Sequence, residues 1–104
     1  MGLFDSGATK QLKKDAGFIG QLVAGQAVGE LPPGAAQEVI DSETQRERLR
    51  AALDAAAAEL GHEKALKKAV KEAGSMARIH LEVREQHVGA VPQAAENAIL
   101  AMVG

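Results

Sequence analysis

The sequence predicts an all-α domain, a small bundle of four to five helices around a thin, alanine-rich core. Three observations carry this. Apolar residues recur with the 3.6-residue period of a helix through most of the 104 residues. Capping and breaking residues fall between the periodic stretches. There are 21 alanines beside 27 large apolar residues (Leu, Ile, Val, Met, Phe), and Phe4 and Phe18 are the only aromatics. Alanine buries little area, so such a core suits helices that approach closely, or a protomer that completes its core with another molecule. The length fits one domain, residues 1–104.

Asp5 and Ser6 can cap a first helix over about 7–28. Ala8, Leu12, Ala16, Ile19, Val23 and Ala27 form its apolar stripe, widened by Phe18 and Leu22, with Lys10, Lys14 and Gln21 opposite. Gly17, Gly20, Gly25 and Gly29 weaken it, each by about 1 kcal/mol relative to alanine in a helix interior. Close packing can compensate, because Ala16, Gly20 and Ala24 recur every four positions and let two backbones meet.

ELPPG (30–34) is a break, where Pro32 forces its predecessor out of the helical region and Pro33 can open the next helix. Val39 and Ile40 are out of phase with Leu49, Leu53, Ala56 and Leu60. S-E-T-Q (42–45) has the pattern of a capping box. A short helix at about 34–41 and a longer one at 43–60 follow, with one long kinked helix as the alternative. Glu43 with Arg46, Glu47 with Arg50 and Arg50 with Asp54 have the spacing of surface ion pairs.

Gly61 suits a helix end. The next helix, from about 62, turns Leu66, Ala69, Val70 and Ala73 inward and Lys64, Lys67, Lys68 and Lys71 outward together. Gly74-Ser75 is a candidate interruption. RIHLEVRE (78–85) alternates as a strand does, but no other segment looks like its partner, and a lone buried strand leaves ladder groups unpaired. The helical reading is preferred. It places His80, Arg84 and His87 at the edge of an apolar arc containing Met76, Ile79 and Val83. PQAAENAILAMV (92–103) is apolar on nearly every side, as a buried or interfacial helix is.

The net charge of −2 gives no global pull toward nucleic acid or anionic membrane. The absence of cysteine removes disulfides, thiolate metal sites and cysteine nucleophiles, and fits a cytoplasmic setting. No signal-peptide pattern is present. The longest uncharged stretch, residues 16–29, is short of the roughly 20 residues a membrane span needs. The serines Ser6, Ser42 and Ser75 each suit a helix cap. No nucleophile elbow or phosphate loop occurs. No catalytic residues, cofactor or enzymatic activity are therefore expected. MGLFDS matches a loose myristoylation pattern.

His62, His80 and His87 are weak candidates for a metal site. Glu59 and His62 have the Glu-x-x-His spacing of di-iron bundles, but Gly61 lies inside it and there is no second such pair. The basic face Lys64, Lys67, Lys68 and Lys71 could meet phosphates, a lipid surface or the acidic segment 30–60, in cis or in trans. Nucleic acid is not an expected partner, since no aromatic residues are interleaved for stacking. The expected function is a non-enzymatic assembly or adaptor role through helix–helix contacts, with copies of itself or another helical protein. Its expected interface comprises the stripe Ala16, Gly20 and Ala24 and the mixed face Ile79, His80, Val83, Arg84 and His87. Buried interface histidines would make the association weaken below about pH 6.5. The alternatives are a membrane-surface protein using segment 8–28 and a metal-binding bundle.

Overall fold

The computed structural model describes residues 5–104. Five helices follow in order: α1 (Gly7–Ala27), α2 (Ala35–Asp41), α3 (Glu43–Leu60), α4 (His62–Val83) and α5 (Val91–Val103). No strand occurs among the described residues.

Local chemistry sets most of the boundaries. Ser6 caps α1, its hydroxyl accepting a hydrogen bond from the Thr9 N–H. Ser42 does the same for α3 by accepting from Gln45 N–H. The reciprocal half of the capping box is absent, because the Ser42 N–H already donates to the Val39 carbonyl. Pro33 does not open α2: Gly34 intervenes at φ +84° and the helix starts at Ala35. With no side chain of its own at that cap, α2 borrows one from α1, the Ala36 N–H donating to Gln26 Oε1 at 2.6 Å. Gly61, at φ +89°, separates α3 from α4 in a single residue.

One expectation about α4 is corrected, and the preferred helical reading of its end holds. The helix runs through Gly74-Ser75 without a break, because Gly74 is buried where α5 passes and the Glu96 side chain lies across it. Residues 78–83 are helical rather than extended. Two-residue alternation would put Ile79, Leu81 and Val83 on one side, whereas Leu81 is fully buried while Ile79 and Val83 are 48% and 73% exposed.

The densest seam joins α1 to α4. Ala65, Ala69, Ala73 and Ala77 lie buried along the inner side of α4 at four-residue spacing, and Ala16, Gly20 and Ala24 are buried on α1. At Gly20 the backbones touch: a Cβ built there would sit 2.1 Å from the Ala73 carbonyl oxygen. Residue numbers rise together along the seam, with Gly17 beside Glu72 and Met76 and Glu30 beside His80 and Arg84. The two helices therefore run in the same direction.

Leu12, Leu49, Leu81, Ile99 and Met102 are the large side chains completely removed from solvent. Each contributes about 1.5–3 kcal/mol. α5 supplies Ala95, Ala98, Ile99 and Met102 to this core and leaves Leu100 half exposed. The Cα radius of gyration, 13.2 Å, matches the roughly 13 Å of a closed 100-residue domain. The chain thus hides its own core. The thin core does not require a second molecule to complete it, because close alanine and glycine contacts replace bulky side chains.

The expected pairs Glu43–Arg46, Glu47–Arg50 and Arg50–Asp54 do not form. Arg46 turns back to the Ile40 carbonyl (2.9 Å) and Asp41 (3.8 Å), and Arg50 reaches Glu43 (3.7 Å). Arg48 crosses to Asp15 of α1 at 3.8 Å. Exposed pairs of this kind are worth about 0–1 kcal/mol, so they select a side-chain arrangement rather than a fold.

Candidate functional site

The residues expected at an interface separate into three groups. Ala16, Gly20 and Ala24 are spent inside the chain on the α1–α4 seam, out of reach of another molecule unless the bundle opens. Of the apolar face of segment 8–28, Leu12 and Ile19 are buried with them, Ala8, Leu22 and Val23 are half-buried, and Ala27 and Phe18 are exposed.

His80 and Arg84 form a clamp on Glu30. His80 Nε2 donates to Glu30 Oε1 at 2.9 Å, and Arg84 Nε donates to Glu30 Oε2. Arg84 also donates from Nη1 to the His80 carbonyl at 3.0 Å. Because a carboxylate only accepts, the His80 Nε2 carries a proton in this contact. Burial pushes the Glu30 carboxyl upward, but the hydrogen bonds from Arg84 and then His80 outweigh it and leave it below the usual carboxylate range. Both helix ends involved are closed by the same device. The Glu30 N–H donates to the Gly25 carbonyl behind Gly29 (φ +78°), and the Gln86 N–H donates to the Leu81 carbonyl behind Glu85 (φ +54°). These are paired left-handed helix stops, the second with a glutamate where glycine is usual. The Arg84 guanidinium also lies at the negative end of the α4 dipole. His80 is thus engaged with a carboxylate of its own chain. His87 lies exposed beyond the helix in the α4–α5 connection.

Ile79 and Val83 remain outside, as expected of an interface. Phe18, read from the sequence as part of the buried stripe, joins them at 49% exposure. It follows Lys14 by four residues and precedes Gln21 by three, so its place on the wet side of α1 was legible. A cleft of about 500 Å³ lies over α1, lined by Lys14, Phe18, Gln21, Arg48, Glu72 and Met76 among others. A second, of about 350 Å³, is lined by Gln21, Met76, Ile79, His80, Val83 and Arg84. The two share Gln21 and Met76, so they form one apolar-floored strip along the outer edge of the α1–α4 seam. Another cleft of about 500 Å³, between α1, α2 and α5, is lined by alanines, amides, Val23 and Ile40 and has no charged group.

Lys64, Lys67 and Lys71 are exposed on the outward side of α4, with Lys68 half-buried beside them. Lys13, on α1, is held by Asp5 at 3.1 Å, and that hydrogen bond lowers the Asp5 carboxyl below its ordinary value. Glu59, the partner expected for His62, instead accepts a hydrogen bond from the Ser6 hydroxyl at 2.6 Å, tying α3 to the start of α1. His62 and His80 stand at opposite ends of α4, about 27 Å apart at 1.5 Å per residue. Among the described residues no three His, Asp or Glu side chains converge as a metal site would require. Met1 to Phe4 of the myristoylation pattern lie outside the described residues. Among the described residues, no helix is long and apolar enough to cross a membrane. Comparison with known protein families, curated proteins and solved structures finds no match for this chain.

Proposed function

We propose that this chain is an assembly or adaptor protein that acts through helix–helix contacts with copies of itself, using the outer face of α1 and α4. The observation that carries the reading is the grouping of the exposed residues Phe18, Ile79 and Val83 along clefts that share a floor. Single exposed apolar residues are ordinary, but a contiguous strip rimmed by charge is the signature of an interaction surface. Burial of the strip supplies affinity, and the surrounding charges set register.

Sedimentation of wild-type chain and of an Ile79→Lys/Val83→Lys variant tests this. Both substituted side chains are on the surface, so the fold is unaffected. The wild type associates as concentration rises and the variant stays monomeric, whereas Leu100→Lys, on α5, leaves the association intact. Equal association of wild type and the double variant would refute the reading.

A further inference from the structure

We infer that the cleft at the C-terminal end of α4 binds a free medium-chain alkyl carboxylate, its head group held by Arg84 and His80 in the place of Glu30 and its chain lying along Met76, Ile79 and Val83. The inference goes beyond the self-association proposed above and does not depend on it.

The head-group end is already built around a carboxylate. His80 Nε2 and Arg84 Nε each donate to one oxygen of Glu30, and Arg84 Nη1 is fixed by the His80 carbonyl at 3.0 Å. The remaining guanidinium nitrogen, Nη2, makes no hydrogen bond among the described residues, so the fork has donor capacity to spare. His80 and Arg84 both line the cleft of about 350 Å³, whereas Glu30 does not. The carboxylate that occupies them comes from outside the cleft, on the connection between α1 and α2, and its side chain is 39% exposed. That connection is held by other contacts: the Glu30 N–H closes α1 on the Gly25 carbonyl, and Leu31 lies over Gly25. The Glu30 side chain can therefore turn to solvent with the turn intact, and an incoming carboxylate replaces its hydrogen bonds one for one.

The rest of the cleft suits a chain. Met76, Ile79 and Val83 follow one another at three- and four-residue spacing, so they form a single line along α4, about 10.5 Å from end to end. Gln21 of α1 borders this line, and no acidic side chain lines the cleft. An aliphatic line that ends in a guanidinium fits a linear apolar chain with an anionic head better than it fits a flat ring or an uncharged body. At about 350 Å³ the cleft is at the small end of ligand sites, which run from roughly 300 to 1,000 Å³, and this selects a medium rather than a long chain. The other two clefts lack the combination. The one beside Phe18 sets Asp15 and Glu72 among its cations, and the one between α1, α2 and α5 has no charged group.

The test is isothermal titration calorimetry with sodium decanoate below its micelle concentration. Dilute chain is used and its mass is followed in parallel by sedimentation, so that ligand binding and self-association are read separately. Wild type binds decanoate at one site and binds decanol roughly tenfold or more weakly. Affinity rises by up to about fourfold per methylene from hexanoate through octanoate to decanoate. Arg84→Gln weakens decanoate binding roughly tenfold or more, with helical content checked by circular dichroism. Ile79→Ser, a surface change that leaves the clamp alone, weakens it as well and flattens the dependence on chain length. Glu30→Gln binds decanoate severalfold more tightly, because the competing carboxylate is gone; a clamp that only braces the fold would give no gain. Failure of wild type to bind decanoate, equal binding of decanol, or an affinity unchanged or lowered in Glu30→Gln overturns the inference, whether or not the chain self-associates. Binding to decanoate-loaded phosphatidylcholine vesicles with none to the free acid would mark a lipid-surface contact and overturn it too.

Discussion

At Gly20 a single hydrogen stands between two helix backbones. Adding a methyl group there gains about 1 kcal/mol of helix propensity, but places carbon 2.1 Å from the Ala73 carbonyl oxygen. Backbone cannot rotate aside, so α1 and α4 must part. Gly20→Ala is expected to destabilise the fold by about 3 kcal/mol, at the upper end of overpacking costs, measured by urea denaturation. Gly74→Ala is the contrast. Its new methyl meets the Glu96 side chain, which can swing toward solvent, so the change is expected within about 1 kcal/mol of neutral. Equal losses at the two sites would contradict this account of the seam. Glu85, at φ +54°, occupies a left-handed stop that suits glycine. Glu85→Gly is expected to raise stability by roughly 0.5–1 kcal/mol, read in the same titration. The small-residue stripe was legible because four-residue spacing places Ala16, Gly20 and Ala24 on one side of a helix. Which backbone they meet was not. Periodicity marks a face for close approach and carries no information on whether the neighbour belongs to the same chain.

The elements differ in how local their causes are. The stops at 28–34, Ser42 and Gly61 rest on proline, serine and glycine chemistry within a few residues, and they were readable for that reason. The passage of α4 through Gly74-Ser75 depends on α5, 17 to 29 residues further on, and local propensity points the other way. The Glu30 clamp is likewise non-local, joining residues 50 and 54 positions apart, and nothing near Glu30 in the chain announces it. Its pH behaviour follows from the direction of its carboxyl. Glu30 ionises more readily folded than unfolded. Its contribution is therefore present above the usual carboxylate value, about 4.3, and is lost as pH falls through the lower folded value. Glu30→Gln removes that component. Between pH 5 and pH 3 the wild type is expected to lose more stability than the variant in urea titrations. Parallel losses would show that the clamp is not coupled to folding. Asp5, lowered by Lys13, keeps its own share of the acid sensitivity in both proteins.

For the molecule as a whole, the chain closes its alanine-rich core alone, and what it leaves over is a surface. The all-α class followed from helical period and from caps at the joins. The extent of burial did not, since it depends on how nearly the backbones of α1 and α4 meet. Met76, Ile79 and Val83 were legible as one apolar arc, and the spacing of Phe18 to Lys14 and Gln21 marked its outward place, while the adjacency of the two edges emerged only once α1 and α4 were laid side by side. The charge partition could be counted along the chain, but only the fold shows that, among the described residues, Lys64, Lys67, Lys71, Glu38, Glu47 and Asp54 form no ion pair. The outer α1/α4 face as a self-association surface is tested most directly by sedimentation velocity over a wide concentration range in low salt. A mass-average rising above the 10.8 kDa of one chain, and returning to it in the Ile79→Lys/Val83→Lys variant, is the expected result. A single 10.8 kDa species at every concentration, with or without those substitutions, would contradict it.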